Sequence, residues 1–141
     1  MKEFVLDASF ALRWCFEDEA TEETDALLTL LQDQESIAWV PDIWRYEVLN
    51  GLGKAVTRGR IERGIALLFW REMQELPIRA VETRVDEKLL ELALEHDLAI
   101  YDACYLGLAL SRKLPLATLD RKLKQAAESG DIGIIKPPTR L

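Results

Sequence analysis

Short apolar runs alternate with longer stretches whose apolar residues recur at helical spacing, and the alternation continues along the whole chain. Phe4-Val5-Leu6 is the first run and stops at Asp7. It predicts a central strand buried on both faces, with the aspartate at its carboxyl end. Ser9 is then placed to cap a helix over Phe10–Phe16, its hydroxyl accepting an orphan backbone N–H. After the polar break Glu17-Asp18-Glu19, Thr21 is a cap for a second helix, on which Ala26, Leu27, Leu30 and Leu31 share one stripe. Ile37-Ala38-Trp39-Val40 predicts a second strand, and Pro41-Asp42 opens a helix from Ile43 to Val56. Trp44, Val48 and Leu52 form its apolar stripe, while Glu47 and Asn50 share an adjacent face. Gly51-Leu52-Gly53 lies inside this helix, where close helix packing accounts for it better than phosphate cradling.

Gly59 ends that helix, and Ile61–Gln74 predicts another with Ile65, Leu68, Phe69 and Glu72 in register. Pro77 leads into a third strand, Ile78–Val81. Arg84–Glu95 reads as an amphipathic helix with Val85, Leu89, Leu92 and Ala93 inward, closed by His96-Asp97. Leu98-Ala99-Ile100 reads either as a short strand or as a loop. A helix opens at Tyr101-Asp102 and turns at Lys113-Leu114-Pro115 into a strand, Leu116–Leu119, that ends on Asp120. A helix over Leu123–Glu128, a last strand Ile132–Ile135 and a tail from Lys136 complete the chain. Strands alternating with helices predict one three-layer α/β/α domain over residues 1–141, with a mainly parallel central sheet. Such sheets bind ligands beyond the carboxyl ends of their strands. Asp7, Glu47, Asp102 and Asp120 each begin or end an element near that edge.

Composition narrows the chemistry. With 49% hydrophobic and 30% charged residues, the chain is globular rather than disordered. No signal peptide is expected from the segment before the first strand, and no uncharged run approaches the roughly 20 residues that cross a bilayer. Cys15 and Cys104 are far apart and read as buried thiols, which suits the reducing cytoplasm. His96 is the only histidine, which excludes a Ser/His or Cys/His relay and a histidine-rich zinc site. Carboxylates must therefore do the work. A net charge of −7 steers a protein away from nucleic acid unless its acids are gathered around bound cations. Lys54, Arg58, Arg60 and Arg63 form a local basic cluster, readable as a solvated face or as a landing site for phosphates.

Asp7-Ala8-Ser9 alone also reads as a capping turn. If the four acids converge, their repulsion calls for a counter-ion, and hard Mg²⁺ or Mn²⁺ prefers such oxygen ligands. An ion held this way activates water and stabilises a leaving oxygen, the requirement for phosphodiester hydrolysis. A receiver-type phosphoacceptor domain would want paired acids after the first strand, and a haloacid-dehalogenase-type phosphatase Asp-x-Asp; Asp7-Ala8-Ser9 supplies neither.

The strings VLDASFALRWCFEDE, YEVLNGL, YDACYLGLA and LATLDRKL, in this order, resemble the four motifs of the PIN-domain ribonucleases, specifically the VapC-type toxins. The resemblance implies a PIN-like fold and a metal-dependent endoribonuclease acting on tRNA, rRNA or mRNA. It also implies a homodimer and inhibition by a small antitoxin protein. Asp7, Glu47, Asp102 and Asp120 match the family's acids and would hold Mg²⁺ or Mn²⁺. Ser9, Asn50 and Thr118 would orient those carboxylates or the water around the ion. Arg121, Lys122 and Lys124 stand where some family members carry a further acid or asparagine, a departure that speaks against a second metal ion. The alternative is a PIN-like module that binds RNA or protein without cutting.

Overall fold

Phe4, Val5 and Leu6 are fully buried in the computed structural model, which describes residues 2–135. They lie on β1 (Lys2–Leu6), followed by α1 (Ala8–Leu12), a 3-10 turn at Arg13–Cys15, α2 (Glu22–Gln32), β2 (Ser36–Pro41) and α3 (Ile43–Thr57). Next come α4 (Arg63–Gln74), β3 (Ile78–Val81), α5 (Glu87–His96), α6 (Ile100–Arg112), β4 (Leu116–Ala117) and α7 (Arg121–Ser129). The four strands form one parallel sheet of order β3-β2-β1-β4. Helices cover it to give the expected three-layer α/β/α fold: α6 packs on β1 and β2 and carries α5, while α3 joins α1 to α4. A sheet buried on both faces explains why β1 is a continuous apolar run rather than an alternating one. The expected tail, residues 136–141, lies outside the described residues. No helix among the described residues is long and apolar enough to cross a membrane.

Local chemistry sets the boundaries. Thr21 caps α2 through a reciprocal capping box with Thr24. Gly59 adopts φ +70° after α3, a left-handed turn that favours glycine. A Cβ on Gly51 would stand 2.5 Å from Leu12 Cδ1, so this glycine allows α3 to approach α1 closely. Gly53 has open space around its Cα, so close packing explains only the first of the two glycines.

Four expectations are corrected. α1 begins at Ala8 rather than Phe10, with Asp7 and not Ser9 at its N-cap position. α4 is rotated by one residue: Ala66, Phe69 and Met73 are buried, while Ile65 and Leu68 are each 49% exposed. The small Ala66 brings the helix close to the core, and larger neighbours at the wrong angle stay outside. α5 begins at Glu87, because Asp86 caps it by accepting from the Lys88 and Leu89 amides, and Val85 is left outside the helix at 83% exposure. Ile132–Ile135 forms no named strand. Its contribution is one parallel bridge, Leu116 to Ile134, with the Leu116 amide donating to the Gly133 carbonyl at 2.8 Å.

Candidate active site

The β1–β4 pairing builds the centre of the site. Leu6 is opposite Ala117, and the Asp7 amide donates to the Ala117 carbonyl at 3.0 Å. That register brings the residue after each strand together. Thr118 Oγ1 donates to Asp7 Oδ2 at 2.6 Å and accepts from the Asp120 amide at 3.1 Å. Ser9 Oγ donates to the same Asp7 oxygen at 2.8 Å. The Asp7 carbonyl accepts from the Phe10 and Ala11 amides, so the backbone is fixed by the start of α1 while the side chain is left for the site.

The other acids arrive on helix ends. Asp102 stands in the first turn of α6, and Asp120 caps α7, its Oδ1 accepting from the Leu123 amide at 2.9 Å. Glu47 is one turn into α3 and half-buried; its Oε1 accepts from the Tyr105 hydroxyl at 2.6 Å. Tyr105 is fully buried on α6, three residues beyond Asp102. Sequence reasoning missed it. A buried tyrosine needs a partner for its hydroxyl, and that requirement on the same helix as an acid is the signal that would have found it.

Electrostatics tie these groups together. Asp7 is only 5% exposed, and its burial raises its pKa above 3.8; hydrogen bonds from Thr118 and Ser9 oppose the rise and the charge of Asp120 adds to it. Burial also raises Glu47, partly countered by Tyr105 and reinforced by the charges of Asp7 and Asp102. Asp102 is raised by burial first and then by Asp120 and Asp7. The Tyr105 phenol is driven far upward by burial and by the neighbouring Asp7 and Glu47, so it stays a donor. Asp7, Glu47 and Asp102 thus each feel the charge of at least one other acid.

Two of the three expected orienting residues, Ser9 and Thr118, hold Asp7. Asn50 does not: it is exposed, and among the described residues it makes no side-chain hydrogen bond. Three residues from Glu47, it is carried past the cluster onto the solvent side of α3. Of the basic cluster, Arg60 is already engaged, bridging Asp18 at 3.1 Å and Glu19 at 3.3 Å with its guanidinium 4.2 Å from the Phe16 ring centroid. Lys54, Arg58 and Arg63 are exposed.

Among the described residues, no three His, Cys, Asp or Glu side chains form a ready-made metal cage. The donor set still suits a hard cation, because it is all carboxylate oxygen. Among the described residues no side-chain hydroxyl bonds Asp7 Oδ1, and no hydrogen bond falls on Asp120 Oδ2 or either oxygen of Asp102. An open arrangement with free lone pairs fits Mg²⁺ or Mn²⁺, which retain several waters and need only one or two direct carboxylates.

A family profile described as PIN domain matches residues 4–129. The chain is 30% identical over 125 residues to Ribonuclease VapC3 of Pyrobaculum aerophilum, covering 86% of this chain and 92% of that one. The crystal structure of PAE2754 from Pyrobaculum aerophilum superposes with a TM-score of 0.71 at 24% identity, over 89% of this chain and 79% of the other. VapBC2 of Rickettsia felis, solved bound to a DNA fragment from its promoter, gives a TM-score of 0.64 at 11% identity, over 94% and 97%. A toxin–antitoxin complex from Klebsiella pneumoniae gives 0.60 at 18% identity, over 97% and 99%.

Proposed function

The chain belongs to the PIN-domain family, and from that premise we propose that it is a metal-dependent endoribonuclease, the toxin of a toxin–antitoxin pair. One observation carries the reading: a buried carboxylate, Asp7, is held by two hydroxyls on one oxygen while other acids press their charge on it. A fold does not bury such a group among like charges for stability alone. Asp7, Glu47, Asp102 and Asp120 would hold Mg²⁺ or Mn²⁺, directly or through water. When bound, the ion would supply an activated water and neutralise charge on the phosphoryl oxygens.

The chain's own residues do the rest. Thr118 and Ser9 fix Asp7 by hydrogen bonds to Oδ2. Tyr105 favours ionised Glu47 and sets its orientation. The α7 cap holds Asp120 by one oxygen. The substrate is tRNA, rRNA or mRNA, and the working form is a homodimer silenced by a small antitoxin. Solved relatives include a toxin–antitoxin complex, which supports the antitoxin partner.

The test is cleavage of pooled tRNA and rRNA by purified protein in Mg²⁺, Mn²⁺ or EDTA. Discrete bands in the metal lanes and none in EDTA are expected. Metal-independent cleavage counts against the metal-dependent mechanism, and no cleavage on any pool favours the non-cutting binding module.

A chain of net charge −7 needs cations where RNA phosphates land. Lys54, Arg58 and Arg63 serve this; Arg60 does not, because its charge is spent on Asp18 and Glu19. Changing all three to glutamine is expected to weaken RNA binding and flatten its logarithmic salt dependence by about 0.7 for each phosphate no longer neutralised. Arg60→Gln should leave that slope unchanged. Binding titrations over a range of salt concentrations read both, and an unaltered slope in the triple variant returns the hairpin to solvated surface.

A further inference from the structure

Outside the carboxylate site, a cavity of about 510 Å³ opens between α5, α6 and the loop that follows β3. Its volume lies within the roughly 300–1,000 Å³ usual for small-molecule sites. The floor is apolar, built by Val81, Leu89, Leu92 and Leu108, with Gly107 keeping one wall low. The two ends differ in make-up. Glu82, Thr83, Asp86 and Lys88 stand at the end near the carboxyl edge of the sheet, and Arg112 stands at the other, at the close of α6. Arg84 lines the first end, where it pairs with Asp86 at 3.4 Å, so acid and base balance there.

Arg112 is prepared differently. Its guanidinium carbon lies 4.0 Å from the centroid of Trp39, and Trp39 Nε1 donates to Glu3 Oε1 at 2.9 Å, which fixes the ring. No ion pair engages Arg112 among the described residues. A cation stacked on an anchored indole, outside any ion pair and lining a cavity, loses little freedom when it meets an anion.

We propose that this cavity seats a nucleotide unit, with its base on the apolar floor and its phosphate on Arg112. A guanidinium matches phosphate oxygens in a two-pronged geometry. A base presents flat apolar faces to Leu89, Leu92 and Leu108. At the far end Asp86 is taken up by the α5 cap and by Arg84, which leaves Glu82 to accept a hydrogen bond from a base amino group and favours amino-bearing bases. A free mononucleotide and a nucleotide of a bound RNA offer the same chemistry. The second source rests on the ribonuclease reading; the first does not.

The experiment is titration of metal-free, ¹⁵N-labelled protein with adenosine monophosphate, followed by backbone amide shifts. Saturable shifts at Leu92, Gly107, Ser111 and Arg112 are expected, with a dissociation constant near the millimolar range (about 1 mM). Arg112→Gln should weaken binding about 5- to 10-fold and Arg112→Lys should recover part of it. Adenosine, without the phosphate, should bind more weakly and ignore Arg112→Gln. Competitive inhibition of RNA cleavage by adenosine monophosphate assigns the cavity to the substrate strand; saturation without inhibition assigns it to a free nucleotide. Both outcomes uphold the site. No saturable shift at these amides by about 10 mM, or equal affinity in Arg112→Gln, overturns it. Failure of the wild-type protein to cleave RNA strikes the nuclease reading and leaves the amide titration standing.

Discussion

Asp7→Asn is expected to lower metal-dependent RNA cleavage by about 1,000-fold or more, the scale seen when a charge aimed at the reacting centre is removed. The fold should survive. Asparagine keeps a carbonyl oxygen to accept from Thr118 and Ser9, the two donors that hold Asp7 now. Stability in EDTA should be unchanged or higher, and the sign follows from the titration. Burial raises the folded pKa of Asp7 above its ordinary 3.8. The folded state therefore holds the proton more tightly than the unfolded chain does. That contribution is fully present below the unfolded pKa and is lost as pH rises through the folded value. Glu47 and Asp102 are raised in the same direction and add to the loss. Metal-free wild type should thus melt at falling temperature as pH rises above the ordinary carboxylate range, with a flatter decline in Asp7→Asn. Mn²⁺ should restore the wild type and do much less for the variant. A lower melting temperature for Asp7→Asn in EDTA at neutral pH would mean that Asp7 is there to hold the fold.

Much of this arrangement is legible in the sequence because the sheet leaves a simple signature. A continuous run such as Phe4-Val5-Leu6 ending on an acid says that a buried strand delivers that acid to an edge. Asp102 and Asp120 follow from the same logic, since each marks a helix start. The reading fails where tertiary contact outweighs periodicity. Ile65 and Leu68 are more apolar than Ala66, yet Ala66 is the residue that lets α4 approach the core. Ser9 has the chemistry of a cap, but α1 already begins at Ala8, so Ser9 stands inside the first turn and its hydroxyl donates to Asp7. Asn50 shares a helical face with Glu47 by spacing, and that face turns from half-buried to exposed within one turn. Arg60 is one of four similar charges along the chain; only the fold brings Asp18, Glu19 and Phe16 beside it. Tyr105 is invisible for a related reason. Its partner lies on another helix, 58 residues away.

Tyr105→Phe is expected to reduce kcat by about 10- to 100-fold, on the scale of groups that orient a ligating carboxylate. The ring is fully buried, so phenylalanine keeps the packing and removes only the donor to Glu47. Loss of one hydrogen bond to a charged, half-buried acceptor should cost about 1.5–3 kcal/mol of stability. The diagnostic consequence is in the pH profile. The Tyr105 bond pulls the Glu47 pKa down against burial and against the charges of Asp7 and Asp102. Without it the pKa rises further, Glu47 keeps its proton to higher pH, and the acid limb of activity should move upward. A purely structural role would lower activity evenly at every pH. The comparison is sharpened by repeating it in Glu47→Gln, where there is no carboxylate left to orient. There Tyr105→Phe should add little further loss and no shift of the limb, because the two residues act through one bond. An unshifted limb in the single variant, or full additivity in the double, would assign Tyr105 to the core alone.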